Sequence, residues 1–248
     1  MFAISFAAYL SMYPILLFPP LALLCFDRRR NTKHNQEESL LAFVIGNIMA
    51  VAGSLYALLH MSSLITGSWE FVSSTYGVQL LLPDLTPNIG LWWYFFIEMF
   101  DSFRSFFLGV FWLHLSSYVG GLTIRLRKQP LFVLTILLGI FTIFKPYPSI
   151  SDASLFLGML PVYSHLFPLM RYTFLASSVV LYATLLGPAF YYLWIYAGSG
   201  NANFFYAITL VWSLGLSVLV VADLLYAVLR DEWEVERPEM KGKDVVQI

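Results

Sequence analysis

From residue 204 to residue 229 the chain carries one charged side chain, Asp223. A helix needs roughly 20 apolar residues to cross the hydrocarbon core of a bilayer, so this run reads as a membrane span. Comparable apolar runs occupy residues 2–26, 40–64, 91–122, 131–144, 153–170 and 172–197. Only the second part of 91–122 is free of charge. Runs 131–144 and 153–170 are short or interrupted by Pro161 and Pro168, so they either cross fully or form a re-entrant pair. The whole is predicted to be an all-α, polytopic transmembrane bundle of about seven segments over 1–230, followed by a charged tail at 231–248. With 12% charged residues in 248, the chain cannot cover a water-facing surface, and lipid must be its main solvent.

Basic residues set the expected orientation. Eleven of the 14 Lys and Arg fall in alternate connections: Arg28, Arg29, Arg30 and Lys33; Arg125, Arg127 and Lys128; and Arg230, Arg237, Lys241 and Lys243. The opposite connections, 65–90 and 198–203, have none. Seven crossings then put the N-terminus in the lumen and the C-terminus in the cytosol. The N-terminal run has no basic n-region and no small-residue cleavage site, so it reads as a membrane segment and not as a signal peptide.

The chain offers little for catalysis. Cys25, the single cysteine, lies in an apolar run with no base to lower its pKa and is expected to be inert. His34, His60, His114 and His165 are scattered without metal-ligand spacing, and no phosphate-binding glycine loop or nucleophile elbow occurs. No metal and no cofactor is expected, and a net charge of −1 gives no case for nucleic acid.

Four places could carry function. Glu98, Asp101 and Arg104 recur every three residues, which on one helix makes a polar stripe. The acids could act as a general acid/base pair, but an internal ion pair with Arg104 is the simpler account and a structural role is expected. Asp223 is expected to pair with Arg230 or cap a helix. The stretch 67–100 carries Asp84, Asn88 and Trp92, which read either as an interfacial helix start or as a rim gripping a lipid headgroup. The uncharged loop before the last span carries Asn201 and Asn203, then Phe204 and Tyr206. Neutral amides beside aromatic faces suit sugar hydroxyls, and they equally suit a short turn with Asn caps.

Four runs match one family in order and spacing: SMYPILLFPPL, FKPYPSISDASL, TPNIGLWWYFFIEMF after LLPDL, and WIYAGSGNANFFYAITL. The chain resembles PIG-U, a family of GPI transamidase subunits. The resemblance implies the C-terminal part of a glycosyltransferase-C-like membrane fold in the endoplasmic reticulum membrane. It implies a non-catalytic subunit that binds the glycosylphosphatidylinositol (GPI) lipid beside the other transamidase subunits, whose catalytic cysteine–histidine pair lies elsewhere. Asn201, Asn203, Phe204, Tyr206, Asp84, Asn88 and Trp92 are then the expected substrate contacts. Complete members carry a further N-terminal block, so Met1 is expected to fall in what matches the family's middle. A related membrane mannosyltransferase is the alternative. That activity needs an acid in a first lumenal loop which the resemblance places outside this chain, leaving Glu70 and Asp84.

Overall fold

The computed structural model describes residues 1–33 and 39–240. His34 and the tail beyond residue 240 lie outside that description. Among the described residues every regular element is helical, and four helices are long and apolar enough to cross a membrane. They are α3 (Leu40–Thr66), α7 (Asp101–Arg125), α10 (Thr173–Ile195) and the continuous run Ala202–Glu236, made of α11 (Ala202–Ser217), a π-helical turn (Val218–Leu225) and α12 (Tyr226–Glu236).

Three of the seven expected segments differ from simple spans. Segment 2–26 is broken into α1 (Phe2–Leu10), a 3-10 turn (Tyr13–Leu17) and α2 (Phe18–Lys33). Pro14, Pro19 and Pro20 each lack the N–H that would continue the ladder, and Ser11 is extended. Segment 91–122 is split into α6 (Trp92–Glu98) and α7, because Met99 and Phe100 both take extended ψ angles, 143° and 135°. Segment 153–170 is α9 (Ile150–Met159) continued by 3-10 turns over Leu160–Leu169, with Pro161 at their start. Two short helices, α4 (Glu70–Val72) and α5 (Val78–Leu81), lie in the connection after α3.

The core is built around α8 (Pro130–Phe144). This helix is apolar on every side, and such a helix is stable only when enclosed. Eleven of its 15 residues are buried. Its two hydroxyls are satisfied locally: Thr135 donates to the Leu131 carbonyl at 3.2 Å and Thr142 to Leu138 at 2.9 Å. The helices α2, α7, α9 and α11 surround it. At Gly139 a Cβ would stand 2.7 Å from Val220 Cγ2, so the absence of a side chain lets α8 meet the π-helical turn. Gly215 does the same for the α10–α11 pair, where a Cβ would come within 2.8 Å of Val180 Cγ2.

Polar contacts mark two ends of this bundle. At the basic end, Arg127 chelates Asp27 at 2.9 and 3.1 Å, and Arg125 reaches Glu232 at 3.2 Å. At the other, aromatic end, Lys145 pairs with Asp152 at 2.6 Å and lies 5.5 Å from the Tyr13 ring centre. The helix α8 joins one end to the other, and α9 with its 3-10 extension returns the chain to Asp223. The π-helical turn holds Asp223 fully buried, and its Oδ1 accepts the backbone N–H groups of Arg171 at 2.9 Å and Tyr172 at 2.6 Å. Asp223 therefore ties down the entry to α10. Arg230 instead bonds Glu234 at 2.7 Å.

Candidate functional site

The loop before α11 is a tight turn. Asn201 is extended, and its Oδ1 accepts the Phe204 N–H at 3.2 Å, capping the helix. The amides of Ser199 and Gly200 both donate to the Leu193 carbonyl at 3.0 Å, folding the turn back on the end of α10. Gly198 permits this with φ +65°.

Once α11 starts there, its first turn faces α6. The Tyr94 hydroxyl donates to Asn203 Oδ1, and the Tyr94 and Tyr206 rings stack with centroids 4.4 Å apart. The Tyr206 hydroxyl donates to the Leu91 carbonyl at 3.3 Å. Trp93 completes the joint, 6.0 Å from both Trp194 and Phe205. Asn203 and Phe204 keep an exposed surface at the aromatic end, and Phe204 stacks on Phe190. Asn201, Asn203, Phe204 and Tyr206 are thus brought together, with Tyr94 as their added partner.

The other expected residues divide. Trp92 is 1% exposed, enclosed by Phe111 at 4.8 Å and Trp112 at 5.7 Å, so it is a core residue and cannot touch a headgroup from its position here. Consecutive residues on a helix point about 100° apart, which is why Trp92 and Trp93 enter different clusters. Asp84 accepts from the Thr86 amide at 2.9 Å and the Thr86 hydroxyl, which hold its carboxyl below the usual carboxylate range. Its backbone carbonyl accepts the Tyr147 hydroxyl at 2.6 Å. Asn88 closes the same loop, donating to the Thr86 carbonyl at 3.2 Å and accepting from the Gly90 amide at 2.7 Å.

The break after Glu98 removes the expected stripe, because Glu98 and Asp101 no longer share a helix. Among the described residues no ion pair joins Arg104 to either acid. Arg104 instead donates to the Leu82 carbonyl and lies 5.6 Å from the Phe96 ring centre. Leu82, buried with φ 49°, is the one non-glycine residue with positive φ among those described, so Arg104 fastens a strained loop corner.

Between α10, α11 and the loop at Pro87–Ile89 runs a cavity of about 430 Å³. Its walls are Ala183, Gly187, Pro188, Tyr191, Phe205 and Trp212, with Asn88 the one amide among them. The Thr184 and Thr209 hydroxyls that border it are turned back to the Val180 and Tyr206 carbonyls, at 2.7 and 2.8 Å. From Phe205 to Trp212 the cavity descends about 10 Å at 1.5 Å per residue. An apolar slot of this depth, open beside polar loops, suits a hydrocarbon chain. Asn88 was among the residues expected from the sequence; the apolar lining residues were not. The Gly187–Pro188 pair in mid-helix was the available signal, since glycine leaves space and proline frees the carbonyl four residues back.

Comparison with known proteins shows the family of the chain. The family model described as GPI transamidase subunit PIG-U matches residues 1–212. The GPI-anchor transamidase component PIGU of Mus musculus is 40% identical over 230 residues, covering 93% of this chain and 53% of the relative. The GPI transamidase component GAB1 of Saccharomyces cerevisiae is 39% identical over 246 residues, 99% of this chain and 59% of the relative. The chain thus spans about half the length of the curated relatives it matches. With the family matched along most of its length, the chain belongs to the PIG-U family.

Proposed function

We propose that this chain is the membrane-embedded, substrate-holding part of a non-catalytic GPI transamidase subunit in the endoplasmic reticulum membrane. It assembles with the other subunits of that complex, with its C-terminus in the cytosol and its aromatic end in the lumen. The 430 Å³ slot between α10 and α11 carries the reading. It takes an acyl or alkyl chain of GPI, while Asn88 at its rim and the exposed amides of Asn201 and Asn203 face the glycan. Relatives named as components of GPI transamidases support the assignment of the complex.

The test fills the slot. Ala183→Phe in the full-length protein places a ring where the chain would lie, and Asn201→Ala with Asn203→Ala removes two amides, each hydrogen bond being worth about 0.5–1.5 kcal/mol. Both should preserve assembly with the other subunits and lower the GPI recovered with the purified complex. Normal GPI recovery from a fully assembled Ala183→Phe complex rules the slot out.

A further inference from the structure

A second cavity, of about 450 Å³, lies at the basic end, remote from the slot between α10 and α11. The α7–α8 turn supplies one wall with Arg125, Arg127 and Lys128; α12 supplies the facing wall with Glu232, Trp233 and Glu236. Ile124 and Leu229 complete the lining with apolar surface. Ile124, in the last turn of a helix long enough to cross the membrane, is 80% exposed, so the cavity borders an exposed apolar face of α7.

The charges here are not all used. Arg127 is held by Asp27 and Arg125 by Glu232, which neutralises four groups pairwise. Lys128 and Glu236 are both exposed, stand on opposite walls, and have no bonded partner among the described residues. If the space were only a gap between two salt-bridged elements, their attraction would favour closing it. An isolated anion would satisfy Lys128 and be repelled by Glu236; an isolated cation would meet the reverse. A ligand carrying both charges satisfies both walls. The apolar margin asks that it also bring hydrocarbon, and Trp233, whose ring stacks under the Arg230 guanidinium at 4.6 Å, gives the kind of indole that settles at a membrane boundary.

We propose that this cavity binds the headgroup of a zwitterionic phospholipid, with its phosphate against Lys128 and its amine against Glu236. The site is independent of the GPI reading and does not fall with it. The Arg125–Glu232 pair joins the two walls of the cavity.

The experiment equilibrates the purified full chain with an equimolar detergent mixture of phosphatidylethanolamine and phosphatidylglycerol of identical acyl composition. Retained lipid is then quantified by native mass spectrometry. A charge-assisted contact justifies about a tenfold effect. The unmodified chain should retain phosphatidylethanolamine over phosphatidylglycerol about tenfold. Lys128→Gln should lower phosphatidylethanolamine retention by about the same factor, and Glu236→Gln should abolish the discrimination. Lys128→Arg keeps the cation and should keep retention, which separates lost charge from a damaged turn. Equal retention of the two lipids by the unmodified chain, or a preference for phosphatidylglycerol, overturns the proposal. So does wild-type behaviour of both neutralised variants.

Discussion

Asp223→Ala should destabilise the chain through the entry to α10, and Asp223→Asn should restore part of what is lost. Asp223 is fully buried, and its Oδ1 receives two backbone N–H groups, at 2.9 and 2.6 Å. A hydrogen bond to a charged acceptor contributes about 1.5–3 kcal/mol. The two share one oxygen and are only partly buried, so their joint removal should cost about 3 kcal/mol. For a domain of this size each kcal/mol corresponds to roughly 2–4 °C, giving a fall of about 6–12 °C in Tm. Asparagine keeps the accepting oxygen. Its amide nitrogen replaces Oδ2, which is buried and makes no hydrogen bond among the described residues, so one unpaired atom is exchanged for another. Thermal unfolding of the three proteins in one detergent, followed by helical circular dichroism, reads the series. If Asp223→Asn falls as far as Asp223→Ala, then the charge matters and the cap does not. If Asp223→Ala melts at the unmodified temperature, the tie to α10 contributes nothing.

Gly215→Leu should separate α10 from α11, since its Cβ would already lie 2.8 Å from Val180; overpacking of this kind costs about 1–3 kcal/mol and should appear as a lower Tm. Arg104→Ala should loosen the loop corner at Leu82 at a cost of about 1.5–3 kcal/mol, visible as faster limited proteolysis between α5 and α6 with the rest of the bundle intact. Cysteines placed at Ser74 and Ser199 should resist a membrane-impermeant thiol reagent in sealed microsomes and react after permeabilisation; labelling in intact vesicles would reverse the expected orientation.

The all-helical class was legible because residue runs such as 204–229, with Asp223 their single charge, stay apolar for the length of a membrane-spanning helix. The joints inside the apolar runs were harder to read. Hydropathy does not register that Met99 and Phe100 leave the helix, since both remain apolar when extended, and that break dissolves the Glu98–Asp101–Arg104 stripe. The prolines at 14, 19 and 20 did carry a readable signal for the broken first segment. Asn201 as a helix cap was also readable from composition and position. The Tyr94–Asn203 bond was not, because it joins residues 109 apart, and nothing local sets so distant a pairing. Trp92 shows the opposite limit: an aromatic next to a predicted interface looks available, and only tertiary packing shows that α7 has enclosed it.

The enclosure of α8 bears on how the chain is made. During synthesis this helix leaves the ribosome before α9 and α11, two of the elements that later hide it. Its apolar surface is then solvated by acyl chains, which serve as a temporary stand-in for protein. When the later helices arrive they replace lipid by side chains of equal polarity, so little hydrophobic gain accompanies the exchange. What selects the final neighbours is fit, such as Val220 and Phe156 settling against the bare backbone of Gly139. A bulkier residue at position 139 would still be inserted and still be apolar. Its defect would appear only at this late exchange, as a chain correctly threaded through the bilayer whose helices fail to close around the centre.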